Sequence, residues 1–172
     1  FEKEGQKYFN DNPWTIRNKY IDVILDRTYS NIRKFQKENF KADLTEEEKV
    51  KGMELLEIQR QAMLMYTSCG WFFSEISGIE TVQIMKYAAR AMQLAARYTS
   101  EDLETPFLDI LANAKSNISE FGTGKDIFER FVKPSVVSAK EIACLWAISS
   151  LYQDFEDEED VYCYTVKRNV YQ

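Results

Sequence analysis

The chain has 172 residues, 45% hydrophobic and 14% aromatic, which is ample for one core and excludes a globally disordered chain. Its 22 basic and 28 acidic residues leave a formal charge of −6, a poor match to phosphate backbones, so no nucleic-acid partner is expected. Histidine is absent, which removes Ser-His-Asp and Cys-His mechanisms, histidine-ligated zinc and histidine general bases. Six glycines and three prolines are too few for a turn-rich sandwich, barrel or propeller. Cys69, Cys144 and Cys163 lie far apart and read as buried free thiols of a reducing, cytoplasmic setting, with no metal or other cofactor expected. No apolar run approaches the roughly 18 residues of a membrane span, and the N-terminus does not read as a signal peptide. A start at Phe1 without methionine suggests a segment of a longer polypeptide.

In chain order, Asp11-Asn12-Pro13-Trp14 predicts a helix start, with a helix through Tyr20, Val23, Ile24 and Arg27. Thr45-Glu46-Glu47-Glu48 is a capping box whose acidic residues also suit the positive end of the helix dipole. It opens a central helix predicted to reach about Glu75. Leu55, Ile58, Ala62, Met65, Cys69, Phe72 and Ile76 recur there at three and four, predicting one continuous apolar face with Met65 and Phe72 in the core.

After Ser77-Gly78 a second long helix is predicted from about Ile79 to Tyr98, antiparallel to the first. Its polar residues fall on a narrow stripe of Gln83, Lys86, Arg90, Gln93 and Arg97. Thr105-Pro106 starts a shorter helix through Phe107, Leu111 and Ala114, and Phe121-Gly122-Thr123-Gly124 is a turn. Ser138-Ala139-Lys140-Glu141 is a second capping box, with Val137 and Ile142 as a hydrophobic staple, opening a helix to about Leu151. Asp154 to Asp160 holds six carboxylates in seven residues and reads as a solvated loop; it lacks the ligand spacing of a calcium loop. Val161 to Val166 looks like a lone strand whose sheet lies elsewhere. The expected architecture is an all-α bundle around a long antiparallel helix pair over 1–160, with a strand-like tail over 161–172.

The segment from Tyr66 to Gln83 mixes aromatics with small and polar residues at the junction of the two long helices. On a continuous helix Leu64, Ser68, Trp71 and Glu75 would share one stripe. An indole beside a carboxylate and a hydroxyl suits a sugar: the ring stacks on a pyranose face while oxygens accept from its hydroxyls. Ser68, Trp71, Glu75 and Gln83 are therefore the candidate substrate-binding residues. The simpler reading is an aromatic core with Glu75 exposed or capping. A catalytic pair of Glu75 and Glu80 needs a separation of roughly 5–9 Å, but Ser77-Gly78-Ile79-Glu80 fits a capping box and no catalytic residue is assigned.

Leu55-Leu56-Glu57-Ile58-Gln59-Arg60, Leu64 to Phe73 and Ile76 to Gln83, followed by Tyr87-Ala88-Ala89-Arg90-Ala91, carry a resemblance that extends over about Trp14 to Tyr164. They resemble the helical region after the catalytic barrel in glycoside hydrolase family 57-like proteins, catalogued as domain of unknown function 3536. Weaker matches follow at Ala114 to Ile118, Phe131 to Pro134 and Ala147 to Leu151. The resemblance implies a helical domain that helps wall the sugar cleft of a barrel on the same polypeptide, with an oligosaccharide or α-glucan as ligand. Both carboxylates of the retaining mechanism would then lie in the barrel, and this chain alone is expected to be inactive. The alternative is a helical interaction or interdomain-packing module with no sugar role.

Overall fold

A computed structural model describes residues 1–154, 156–161 and 164–168. The described elements are helices α1 (Glu2–Tyr8), α2 (Pro13–Lys19), α3 (Ile21–Leu25), α4 (Tyr29–Asn39), α5 (Glu46–Leu64), α6 (Cys69–Phe72), α7 (Ile79–Ala95), α8 (Glu104–Leu111), α9 (Gly124–Ile127) and α10 (Ala139–Ser149), then strands β1 (Glu158–Val161) and β2 (Tyr164–Lys167). The fold is all-α with a short stranded C-terminal segment, as the helical periodicity and sparse turns imply. Two compact units divide it, Phe1–Lys133 and Pro134–Gln172.

In the first unit, the Asn12 side chain accepts from the Trp14 amide at 2.9 Å and Pro13 occupies the first helical position. The helix expected through Arg27 is broken at Tyr20 into α2 and α3. An antiparallel bridge between Phe9 and Phe40 ties the N-terminal segment to the end of α4. Tyr8, Phe9, Ile16, Tyr20, Val23, Phe35 and Phe40 bury together against Leu55 and Leu56 of α5. On α5 the predicted capping box forms in full, with Thr45 Oγ1 accepting from the Glu48 amide and Glu48 Oε2 from the Thr45 amide.

Helices α5 and α7 pack antiparallel. Tyr98, just past the end of α7, sets its one hydroxyl proton between Glu54 Oε2 at 2.8 Å and the Lys51 carbonyl at 3.0 Å near the start of α5, while Arg97 pairs with Glu54. Small Ala88, Ala89 and Ala91 are buried on α7. A second group of buried side chains forms where α7 meets the π-helical turn over Phe128–Val132: Ile127, Phe128 and Val132 are wholly enclosed.

In the second unit the Ser138–Glu141 capping box opens α10 as predicted. The expected lone strand is corrected: β2 pairs antiparallel with β1, drawn from the acidic run, in the register Glu158↔Lys167 to Val161↔Tyr164. Glu158 and Lys167 form an ion pair at 3.0 Å, so opposite charges across the strands offset the low β-propensity of the acidic run. Cys69 and Cys144 are exposed, not buried as predicted, because Cys69 falls beyond the end of α5 and Cys144 lies on a face of α10 left uncovered. Cys163 lies outside the described residues.

Candidate functional site

The central helix ends at Leu64, about eleven residues before its predicted end. Its last bonds tighten, Tyr66 N donating to Met63 O and Thr67 N to Leu64 O, and the Thr67 hydroxyl also bonds the Leu64 carbonyl at 2.9 Å. The chain resumes as α6 over four residues. Here Thr81 Oγ1 of α7 donates to the Gly70 carbonyl at 2.6 Å, in a buried bond that replaces an intrahelical one. Gly70 lies so close to α7 that a Cβ there would meet Ile84 Cδ1 at 2.2 Å.

This break overturns the single stripe and the continuous apolar face. Phe72, predicted in the core, is 74% exposed, and Trp71 is 70% exposed, so both neighbours face outward. Met65 is half-buried, while Tyr66, Phe73 and Ile79 are exposed as well. Ser68 is exposed just before α6, with no capping bond from its side chain, and Gln83 is exposed on α7. Between α6, α7 and α8 runs an apolar cavity of about 340 Å³. Trp71 and Phe73 line one side, Ile84 and Met85 another, Phe107 and Leu111 a third. Of the four predicted site residues, Trp71 alone lines it.

Glu75 lies past α6, half-buried, and turns toward the loop after α8. Its Oε1 accepts from the Ser77 amide at 2.8 Å and the Ser116 hydroxyl at 2.7 Å, and its Oε2 accepts from the Asn117 amide at 2.8 Å. The Asn117 side-chain amide returns a bond to the Ser74 carbonyl. The Ser116 hydroxyl, the Ser77 amide and the Asn117 amide together hold this carboxyl down at about 2, far below its ordinary 4.5. The carboxyl is therefore held in its ionised, acceptor-only form at neutral pH. The predicted Glu80 capping box does not form: Gly78 occupies the cap position and has no side chain to accept, leaving Glu80 in the first turn of α7. Sequence reasoning missed Ser116, Asn117 and Thr81 as partners; Ser116 lies 41 residues from Glu75, beyond any local spacing rule.

The depressed carboxyl has a consequence for acid stability. Its bonds stabilise the fold fully above about 4.5 and are lost as pH falls from there through about 2. A carbon-13 titration of the Glu75 carboxyl should have its midpoint near 2; a midpoint near 4.5 would mean that the three bonds do not form in solution.

Among the described residues, no group of three or more His, Cys, Asp or Glu side chains is placed to hold a metal ion. Among them too, no helix is long and apolar enough to cross a membrane. The family described as Domain of unknown function (DUF3536) matches residues 1–172. No curated protein and no solved structure matches the chain.

Proposed function

Because the chain belongs to the family described as a domain of unknown function (DUF3536), its role must be argued from its surface, and we propose that it is a non-catalytic helical domain of a carbohydrate-active enzyme. In this reading the Tyr66 to Phe73 segment faces the sugar cleft of a catalytic barrel on the same polypeptide. The resemblance of Tyr66 to Gln83 to the helical region of glycoside hydrolase family 57-like proteins supports the barrel. The observation that carries the reading is the exposure of Trp71 and Phe72, at 70% and 74%, beside an apolar cavity. Large aromatics so exposed, in one short segment, mark a surface with a partner. A tryptophan face stacks on the C–H face of a pyranose at little entropic cost, because its ring has only two side-chain torsions to fix.

A second reading, interdomain packing without sugar, is favoured by the chemistry of the cavity wall. Thr81 gives its hydroxyl to Gly70, and Glu75 is taken up by its own loops. The other side chains named on its walls, Phe73, Ile84, Met85, Phe107 and Leu111, are apolar.

One substitution separates the two. In the full-length enzyme, Trp71→Ala should raise KM for a malto-oligosaccharide about 5- to 10-fold, the loss of roughly 1–1.4 kcal/mol of stacking, with kcat within about twofold. An unchanged KM with a lowered melting temperature would decide for interdomain packing. In the same assay this chain alone should release no reducing sugar.

A further inference from the structure

We propose that Glu75 is a positioning residue, one that holds the Trp71 shelf in place from behind without meeting the ligand itself. This rests on the reading of Trp71 as a surface for sugar.

The argument begins with how little else holds the shelf. The segment between Leu64 and Ile79 has only one turn of helix, and its three consecutive aromatics, Trp71, Phe72 and Phe73, are all exposed. Burial therefore contributes little to its order, and polar bonds must supply the rest. Two are present. At the front, Thr81 bonds the Gly70 carbonyl and pins α6 to α7. At the back, Glu75 joins Ser77 of its own loop to Ser116 and Asn117 of the loop after α8.

The second loop is itself anchored. Ser116 N donates to the Gly122 carbonyl at 2.9 Å, and Gly124 N to the Ala114 carbonyl at 2.8 Å. Gly124 opens α9, which leads into the enclosed Ile127 and Phe128. A bonded path thus runs from the exposed aromatics through one carboxylate to the core. The Ser116 hydroxyl sits in the middle of it, donating to Glu75 and accepting from the Ile118 amide at 3.0 Å.

The geometry suits a carboxylate and nothing else of that length. All three donors need acceptors, two at one oxygen and one at the other. Glutamine offers one carbonyl oxygen, so its NH₂ group must face a backbone N–H in either orientation: Asn117 in one, Ser77 in the other. Glu75→Gln therefore tests the clamp with hardly any change of volume.

The experiment uses the full-length enzyme with Glu75→Gln, Trp71→Ala and the pair, and reads steady-state kinetics together with amide hydrogen exchange. Exchange over residues 69–78 should quicken at least tenfold in Glu75→Gln. KM should rise about as far as in Trp71→Ala, kcat should stay within twofold, and the double variant should be no worse than Trp71→Ala alone. Additive effects on KM, or a fall in kcat for Glu75→Gln alone, would mean that Glu75 meets the substrate and overturns the proposal. If Trp71→Ala leaves KM unchanged, the sugar reading fails by itself. Exchange then decides the clamp, faster exchange supporting it and unchanged exchange overturning it. Should Glu75→Gln fail to fold, Ser116→Ala keeps the carboxylate with its two amide donors and should give the same pattern at smaller size; unchanged exchange in it would overturn the clamp.

Discussion

Phe128→Ala should cost about 3–5 kcal/mol in urea denaturation, whereas Phe72→Ala should stay within about 0.5 kcal/mol of the parent chain. Phe128 is 0% exposed, on the π-helical turn packed against α7, and its ring meets Phe107 edge-on at 6.0 Å. Truncation removes transfer free energy and leaves a cavity that fixed neighbours cannot fill. Against a typical total stability of about 5–15 kcal/mol, that loss is a large share. Phe72 meets Phe73 at 5.2 Å and otherwise faces outward. Equal losses from the two substitutions would mean that Phe72 is covered in solution.

That contrast marks where sequence spacing stops being informative. Phe72 continues the series through Met65 and Cys69 in perfect register, and spacing alone places it in the core. Spacing presumes an unbroken helix, and α5 ends at Leu64, where Thr67 takes the Leu64 carbonyl with both its amide and its hydroxyl; further on, the Gly70 carbonyl bonds Thr81 of α7. Local signals fared better. The Asn12, Thr45 and Ser138 caps are all formed, since each needs only residues within three positions. The long α7 was legible from its polar stripe and ends at Ala95, within three residues of the prediction. Long-range pairings were not legible: the Phe9–Phe40 bridge and the Glu75–Ser116 bond join residues 31 and 41 apart. Strand β1 was hidden for a different reason. Its carboxylates imitate a solvated loop until Lys167 is placed opposite Glu158. In the candidate site Trp71 is exposed, as its place on the stripe implied, whereas the bonds that Glu75 accepts from Ser116 and Asn117 come from a loop that no local pattern connects to it.

Gly70→Ala puts the contact between α6 and α7 to the test, with an expected cost of about 1–3 kcal/mol. On helix propensity alone the change should help by about 1 kcal/mol, so a loss has to come from crowding. An added Cβ would lie 2.2 Å from Ile84 Cδ1, 2.6 Å from Cγ1 and 2.7 Å from Cγ2. Two of those atoms branch from the same Cβ, and a β-branched side chain in a helix has essentially one χ1 rotamer, so rotation cannot clear all three. The segment must move instead, which strains the buried bond from Thr81 to the Gly70 carbonyl and shifts the wall that carries Trp71. Ile84→Ala removes all three clashing atoms at once. In a double-mutant cycle by thermal or urea denaturation, Gly70→Ala should therefore be nearly neutral in the Ile84→Ala background, a coupling of at least about 1 kcal/mol. Strict additivity, or a stabilised Gly70→Ala, would mean that α6 stands off from α7 and that propensity alone governs residue 70.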